Sequence, residues 1–279
     1  MIKIVCEFEK DKLFEVIKMR RSVRTFDGYG LTQADREALQ AFADNAENPY
    51  GQQAVFQIFS AKEHGLASPV ISGTDLYMTG KLKKQPHAEE AFGYSFELVV
   101  LQAQAMGIGT TWIAGTMNRD AFEKASALAP EEVMPCVSPL GYPAKKMALR
   151  ESLMRKGVKA DSRLPYGQLF FDGDFGKPLA RAEGDAVSDA LEAVRWAPSA
   201  VNKQPWRIVV CGDLVHFYEK QDKGYENNGW DLQKVDLGIA LCHFDRMMKA
   251  AGCQTELRLE DPQLELPAAT RYIATIALK

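Results

Sequence analysis

Residues 185–211, DAVSDALEAVRWAPSAVNKQPWRIVVC, predict three elements in direct succession. Apolar side chains in 185–196 recur at the spacing of an amphipathic helix. Residues 197–205 are rich in proline and in small polar residues that form turns. The run Trp206–Cys211 is mostly β-branched and aromatic, which is typical of a strand. A helix, a loop and a strand therefore follow one another here.

The first half of the chain carries the same order of elements. Residues 34–46 have helical spacing, 48–53 contain turn residues, and Val55–Ser60 is a second strand-like run. Within the strands, Trp-Arg-Ile at 206–208 echoes Phe-Gln-Ile at 56–58. The recurrence indicates one structural unit that occurs twice, although such elements also alternate by coincidence in α+β proteins.

A long apolar helix is predicted after each strand, at residues 91–106 and 235–250. Gly107 follows the first helix and Gly252 the second, and each has another glycine fourteen positions before it. Gly107 and Gly252 stand at positions where the C-terminus of a helix needs a residue with a left-handed backbone conformation.

Further strands are predicted beyond these helices, at 133–140 and 271–278. The repeat period of about 145 to 150 residues is domain-sized and too long for a solenoid. We therefore expect two related repeats, residues 1–171 and 182–279, joined by a turn-rich linker at 172–181 and packed as a pseudo-dimer.

The composition limits the class of protein. A chain of 279 residues with a formal net charge of -3 lacks the basic excess of most nucleic-acid-binding proteins. No apolar run approaches the roughly 20 residues that cross a bilayer, and the amino terminus lacks a secretory signal, so a cytoplasmic protein without membrane contact is expected. Five cysteines and four histidines show neither CxxC nor HxxxH spacing, so we expect no metal site.

A dense group of cations, Arg20-Arg21-Ser22-Val23-Arg24, follows an amphipathic segment at 12–19. Guanidinium groups bind phosphate oxygens through paired hydrogen bonds, and a serine hydroxyl adds another donor. The group is a candidate phosphate site. A solvated helix end whose cations complement the helix dipole is the alternative.

The loop at 197–206 could approach a flat ligand. Its Ser199, Asn202 and Gln204 carry neutral groups that can donate to, or accept from, a ring or a sugar. An ordinary loop, in which these side chains satisfy the turn backbone, is the alternative.

The stretch 107–115, GIGTTWIAG, superficially resembles a dinucleotide-binding fingerprint. It follows a helix, however, and Trp112 stands where the third glycine belongs, so that interpretation fails. Backbone approach to a planar ligand is a better use of Ala114 and Gly115. A helix cap that leads into a buried strand is the alternative.

Together these segments resemble the FMN-dependent nitroreductase family. RRSVRTF at 20–26 is similar to the family's RRSxRxF segment, PSAVNKQPW at 198–206 to its PSxxNxQPW loop, and GIGTTW at 107–112 to its GLGTxW segment. The resemblance implies an α+β nitroreductase-like fold with a mostly antiparallel sheet and long packed helices in each repeat. It implies one bound FMN contacted by Arg20, Arg21, Ser22, Arg24, Ala114, Gly115, Arg163, Pro198, Ser199, Asn202 and Gln204.

The resemblance also implies a role for each segment. The first holds the FMN phosphate, with Arg163 as a further phosphate contact, and the loop touches the isoalloxazine and ribityl parts. Backbone at Ala114 and Gly115 approaches flavin N5. The loop belongs to the second repeat and the other motifs to the first, while the first repeat's own loop at 48–53 has lost the pattern. One composite site per chain is therefore expected, in a monomer whose dimer is fused.

The function implied is that of an oxidoreductase. Hydride passes from NADH or NADPH through flavin N5 to a nitroaromatic, a quinone or a similar small-molecule acceptor. Because the flavin carries the chemistry, no side chain is expected to be catalytic. A flavin-binding sensor or carrier without turnover, a family dehalogenase and a cofactor-free scaffold are the alternatives.

Overall fold

Two large β-sheets and one two-stranded sheet occur in the computed structural model, which describes residues 4–227 and 230–279. The helices, in chain order, are α1 (Lys10–Met19), α2 (Gln33–Ala43), α3 (Ala61–His64), α4 (Ala88–Ala105), α5 (Arg119–Ala125), α6 (Leu149–Gly157), α7 (Tyr166–Leu169), α8 (Ala186–Arg195) and α9 (Leu232–Ala250). The strands are β1 (Val55–Ser60), β2 (Leu76–Lys83), β3 (Glu132–Val133), β4 (Val137–Leu140), β5 (Phe170–Asp172), β6 (Trp206–Cys211), β7 (Leu214–Lys220), β8 (Glu226–Asn227), β9 (Trp230–Asp231), β10 (Thr255–Arg258) and β11 (Thr270–Leu278).

The chain divides into two units that differ from the predicted repeats. Unit 1 comprises the residues up to Val5, Met19–Ala88 and Ser95–Ala160, and unit 2 comprises Cys6–Lys18, Glu89–Tyr94 and Asp161–Lys279. Strand β5 overlaps the predicted linker at Asp172, yet it pairs with β6 inside unit 2. The repeat boundaries 1–171 and 182–279 describe similarity in sequence and stay a prediction.

The sheet of unit 1 is antiparallel throughout. Its order is β1-β2-β3, and β4 also pairs with β2. Strand β1 lies at the edge, where Gln40 of α2 donates Nε2 to Phe56 O at 2.8 Å and accepts from Ile58 N at 3.1 Å. A side-chain amide thus covers backbone groups that an edge strand would otherwise leave open.

The sheet of unit 2 has the order β10-β11-β7-β6-β5. Its pairs are antiparallel except for β5 with β6. Helix α9 packs on this sheet, where Phe244 meets Phe217 of β7 with ring centroids 5.6 Å apart. Both sheets are mostly antiparallel, which confirms the predicted α+β class.

Several predicted elements have their expected bounds. Strands β1 and β6 match the predicted runs, and α4 and α9 each begin three residues before their predicted starts. Helix α9 begins early because Asp231 caps it, accepting from Gln233 N at 2.8 Å. Gly107 and Gly252 are left-handed, with φ of 76° and 84°, as their places after the helices predicted.

The predicted strand at 133–140 is wrong in one respect. It is broken into β3 and β4. Pro135 lies in the gap and has no N–H to donate to a ladder, which explains the interruption.

Two glycines allow α4 and α9 to approach each other closely. A Cβ on Gly93 would lie 2.1 Å from Val235 O, and a Cβ on Gly238 would lie 2.1 Å from Glu90 O. These are the glycines that precede Gly107 and Gly252 by fourteen positions. Their reciprocal contacts are consistent with two equivalent helices, as a sequence repeat would give.

Neither a membrane-spanning helix nor a metal-binding group occurs among residues 4–227 and 230–279. No helix there is long and apolar enough to cross a membrane. No three His, Cys, Asp or Glu side chains in those ranges are arranged to hold a metal ion. Cys136 and Cys242 are buried, whereas Cys6, Cys211 and Cys253 are half-buried.

Candidate functional site

Residues 20–26 form an extended strip in unit 1, directly after α1 ends at Met19. Val23 N donates to Thr110 O at 2.8 Å, which joins the strip to the GIGTTW segment. Gly109 permits this approach, because even a Cβ there would lie 3.0 Å from the Val23 side chain. Two of the predicted cofactor segments are therefore neighbours.

Arg20 is a buried cation with unmet hydrogen-bonding capacity. Its side chain is buried, and in the described part of the chain its Nε and Nη1 have no hydrogen-bond partner. Nε lies 3.9 Å from Oε1 of Glu97, which is beyond hydrogen-bond reach. Burial lowers the pKa of Arg20, and the Glu97 carboxylate opposes that shift. Buried donors without partners are rare in folded proteins, so these groups point to an anion.

Other charges surround the strip. Arg21 Nη1 lies 3.1 Å from Oε1 of Glu151, a buried carboxylate on α6. Burial lowers the pKa of Arg24, Glu151 raises it, and Arg155 lowers it. Arg155 also lowers the pKa of Arg20, so its charge lies near both.

These groups form the arginine cluster, which has four arginines and two glutamates: Arg20, Arg21, Arg24, Arg155, Glu97 and Glu151. The arginines exceed the carboxylates by two charges. A phosphate monoester carries a charge of about -1.5 to -2 at neutral pH. The cluster therefore complements such a group in charge and in donor type.

The glycine segment continues beside β4. Ile113 and Val137 exchange backbone hydrogen bonds of 2.9 Å in each direction. Beyond them, Ala114 O accepts from Arg119 Nη2 at 3.0 Å. Gly115 is exposed, and no described atom lies within 4 Å of a Cβ built on it. The surface at Gly115 is open to a ligand, and its proposed approach to flavin stays a prediction.

The loop at 198–205 belongs to unit 2 and has a strained backbone. Val201, Asn202 and Gln204 have positive φ angles of 44°, 60° and 53°. Such angles cost roughly 1 to 3 kcal/mol each for residues other than glycine, and a β-branched valine is an outlier there. Surrounding contacts must stabilise this conformation.

Side chains of the loop itself supply some of those contacts. Ser199 Oγ accepts from Gln204 N at 2.8 Å, and Gln204 Oε1 accepts from Leu164 N at 2.9 Å. Asn202 Nδ2 donates to Ser162 O at 3.1 Å. These groups make hydrogen bonds inside unit 2, and their predicted contacts with a ring or a sugar stay a prediction. Half-buried Pro198 begins the loop.

Arg163 lies between two residues that the loop holds in place. Asn202 bonds to Ser162 and Gln204 bonds to Leu164. Its guanidinium carbon lies 4.9 Å from the centroid of the Trp196 ring, a cation–π distance. Nη1 donates to Ser162 O at 2.7 Å. The predicted phosphate contact of Arg163 stays a prediction.

Buried acids lie behind the loop. We call Glu219, Asp231 and Asp236 the acidic cluster. Ala200 N donates to both carboxylate oxygens of Asp236, each at 3.1 Å, while Arg271 contacts Glu219 and Asp231. Burial raises the pKa of Asp236 well above its usual range, and the other two acids raise it further.

Glu219 makes the stability of the protein depend on pH. Burial, with the neighbouring Asp231 carboxylate, raises its pKa from 4.5 to about 7, although Arg271 opposes the shift. The folded state therefore holds this proton more tightly than the unfolded state does. The stabilisation of the folded state by protonation of Glu219 is complete below pH 4.5, and it is lost as the pH rises through about 7.

We expect Glu219→Gln to remove this dependence. The free energy of unfolding of the wild type, minus that of the variant, should fall by about 3 kcal/mol between pH 4.5 and pH 8. Urea unfolding at several pH values measures it. A difference that is constant with pH would contradict the assignment.

Sequence reasoning missed Glu97, Glu151 and Asp236. Glu97 and Asp236 carry one available signal, because each is a lone acid within an apolar helical run, FELVVL and VDLGIAL. A buried charge is costly unless it has a partner. Glu151 gives no such signal, since charged residues surround it in sequence.

Comparison with known proteins identifies the relatives of the chain. A family model described as "Putative TM nitroreductase" matches residues 12–248. A solved "putative nitroreductase" from Thermotoga maritima is 19% identical, covers 95% of this chain and 92% of its own, and has a TM-score of 0.60. That likeness shows a nitroreductase-like fold. No curated protein matches the sequence significantly.

Other solved structures align with about half of the chain. An FMN-dependent nitroreductase from Clostridium difficile R20291 is 17% identical over 50% of this chain and 94% of its own, with a TM-score of 0.40. A structure of iodotyrosine deiodinase bound to FMN and 3-iodo-L-tyrosine is 16% identical over 49% and 92%, with a TM-score of 0.41.

Proposed function

Because the chain belongs to the nitroreductase family, whose model matches residues 12–248, we propose that it is an FMN-dependent oxidoreductase. Membership of this family supports an oxidoreductase in general. The observation that carries the FMN proposal is Arg20, whose buried Nε and Nη1 lack hydrogen-bond partners in the described ranges. An anionic ligand would satisfy them.

The arginine cluster fits the phosphate of FMN by the chemistry of its donors. In our proposal Arg20, Arg21, Ser22 and Arg24 hold the phosphate, and Glu97 and Glu151 keep the guanidinium groups in place. Arg163, which stacks on Trp196, is proposed as a further phosphate contact. Each residue can be tested by FMN affinity.

The ring is assigned to Ala114, Gly115 and the loop. We propose that the loop contributes Pro198, Ser199, Asn202 and Gln204, and the last three also make hydrogen bonds within unit 2. When bound, FMN would supply two-electron transfer between a reduced nicotinamide and an oxidised acceptor. The chain's own task is to bind and orient it.

The proposed electron donor is NADH or NADPH, and the proposed acceptor is a nitroaromatic or a quinone. Anaerobic mixing of the FMN-loaded protein with each nucleotide tests the first half, through loss of the visible flavin absorption. Adding the acceptor should restore that absorption. If dithionite bleaches the protein but neither nucleotide does, the chain is a flavin carrier or sensor and the enzymatic proposal is overturned.

We also propose that the chain is a monomer, because the two repeats supply within one polypeptide what family dimers supply with two. Light scattering of the FMN-loaded protein should give a mass near 31.0 kDa. Twice that mass would overturn this part of the proposal.

A further inference from the structure

The strained loop at 198–205 is held by its own side chains and also by a residue of α9. Asn202 and Gln204 join its far end to Ser162 and Leu164, and Ser199 Oγ accepts from Gln204 N. Its near end, at Ala200, is held from α9 by Asp236. Ala200 directly precedes Val201 and Asn202, which are the first residues of this loop with positive φ angles.

The burial of the Asp236 carboxyl group in an apolar part of α9 is unfavourable in free energy. It is 3% exposed on a helix whose surrounding positions, Val235, Leu237 and Ile239, are buried and apolar. A buried carboxyl group costs free energy unless it makes hydrogen bonds. Within the described ranges its two carboxyl oxygens accept from one donor, Ala200 N, at 3.1 Å each.

We propose that Asp236 is a positioning residue, which fixes the backbone turn at Ala200 so that the loop is already shaped for the cofactor. This inference rests on the proposed function. Asp236 itself need not touch FMN. The carboxyl acts through the loop backbone, by reducing the number of conformations that binding must select.

Helix α9 offers a matched control in Asp245. It is also 3% exposed, and its partners are Tyr94, Lys249 and Thr255, all outside the loop. Removing either carboxyl leaves donors unpaired in the interior of unit 2. Both alanine variants should therefore lose stability, which separates a general structural effect from an effect on the loop.

The test compares Asp236→Ala, Asp236→Asn and Asp245→Ala with the wild type. FMN dissociation constants come from flavin fluorescence titration, and amide hydrogen exchange in the apo protein follows the peptide covering 197–205. Asp236→Ala should weaken FMN binding by roughly tenfold or more and speed exchange in that peptide. Asp236→Asn keeps an oxygen that accepts from Ala200 N, so it should restore both readouts to within about threefold. Asp245→Ala should lower the unfolding temperature without changing the FMN dissociation constant or the exchange rate of the peptide 197–205.

The outcomes separate this inference from the function on which it rests. Unchanged exchange at 197–205 in Asp236→Ala, or equal weakening of FMN binding in Asp245→Ala, would overturn the positioning role. Faster exchange with unchanged FMN affinity would also overturn it. A wild-type protein that binds no FMN would overturn the proposed function, and the exchange measurement would still decide whether Asp236 holds the loop.

Discussion

Replacing both Arg21 and Arg24 by alanine is expected to weaken FMN binding by at least about 100-fold. A hydrogen bond to a charged group contributes about 1.5 to 3 kcal/mol, and each 1.4 kcal/mol is tenfold in affinity. The variant also removes the local excess of positive charge, because Glu97 and Glu151 would then equal Arg20 and Arg155 in number. A phosphate would meet no excess of positive charge.

The matched control is Lys145→Ala with Lys146→Ala, which changes the net charge equally at exposed positions of the same unit. Its FMN affinity should stay within about threefold of the wild type, because exposed charges are screened by water and salt. Fluorescence titration measures both variants. Full affinity in the double arginine variant, or equal loss in the lysine variant, would show that the arginine cluster does not hold the phosphate.

The second large effect is expected at the crossing of α4 and α9. Gly238→Ala would place a Cβ 2.1 Å from Glu90 O, a backbone atom that cannot move aside without shifting the helix. Overpacking of this kind costs about 1 to 3 kcal/mol, and contact with backbone belongs at the upper end. We expect about 3 kcal/mol of lost stability in urea unfolding.

Gly157→Ala is the control for this substitution. Gly157 lies in the last turn of α6, and no described atom lies within 4 Å of a Cβ placed there. Alanine at such a helical position should be neutral or stabilising by up to about 1 kcal/mol. Equal stability of the two alanine variants would mean that α4 and α9 do not cross as closely as the structure shows.

The local elements followed from local pattern. Strands β1 and β6 are β-branched and aromatic runs between turn residues, and such runs carry their own boundaries. Gly107 and Gly252 follow apolar helices, where a left-handed cap is the ordinary use of glycine. The break at Pro135 was missed, although proline cannot donate to a strand ladder and is therefore a signal in the sequence.

Long-range partners were not predictable in this way. Arg21 and Glu151 are 130 positions apart, and Ala200 and Asp236 are 36 apart. Nothing in the spacing of either pair indicates contact, because only the folded chain brings them together. The division into two units has the same origin, since Lys10 of α1 pairs with Asp189 of α8 at 2.7 Å.

The loop at 198–205 carries side chains with two chemical uses, and their predicted contacts with a cofactor stay a prediction. Ser199, Asn202 and Gln204 were predicted as ligand contacts because amides and hydroxyls suit a ring or a sugar. The same groups also satisfy turn backbone, and here they stabilise positive φ angles. The sequence alone does not distinguish these two uses.

We propose that the chain binds FMN and that the arginine cluster holds its phosphate. The most direct measurement is the amount of FMN released by heat from the purified protein after incubation with excess FMN and removal of the free cofactor. The account predicts about one FMN per chain, because the phosphate motif and the PSAVNKQPW loop each occur once. A protein that retains no flavin would contradict it.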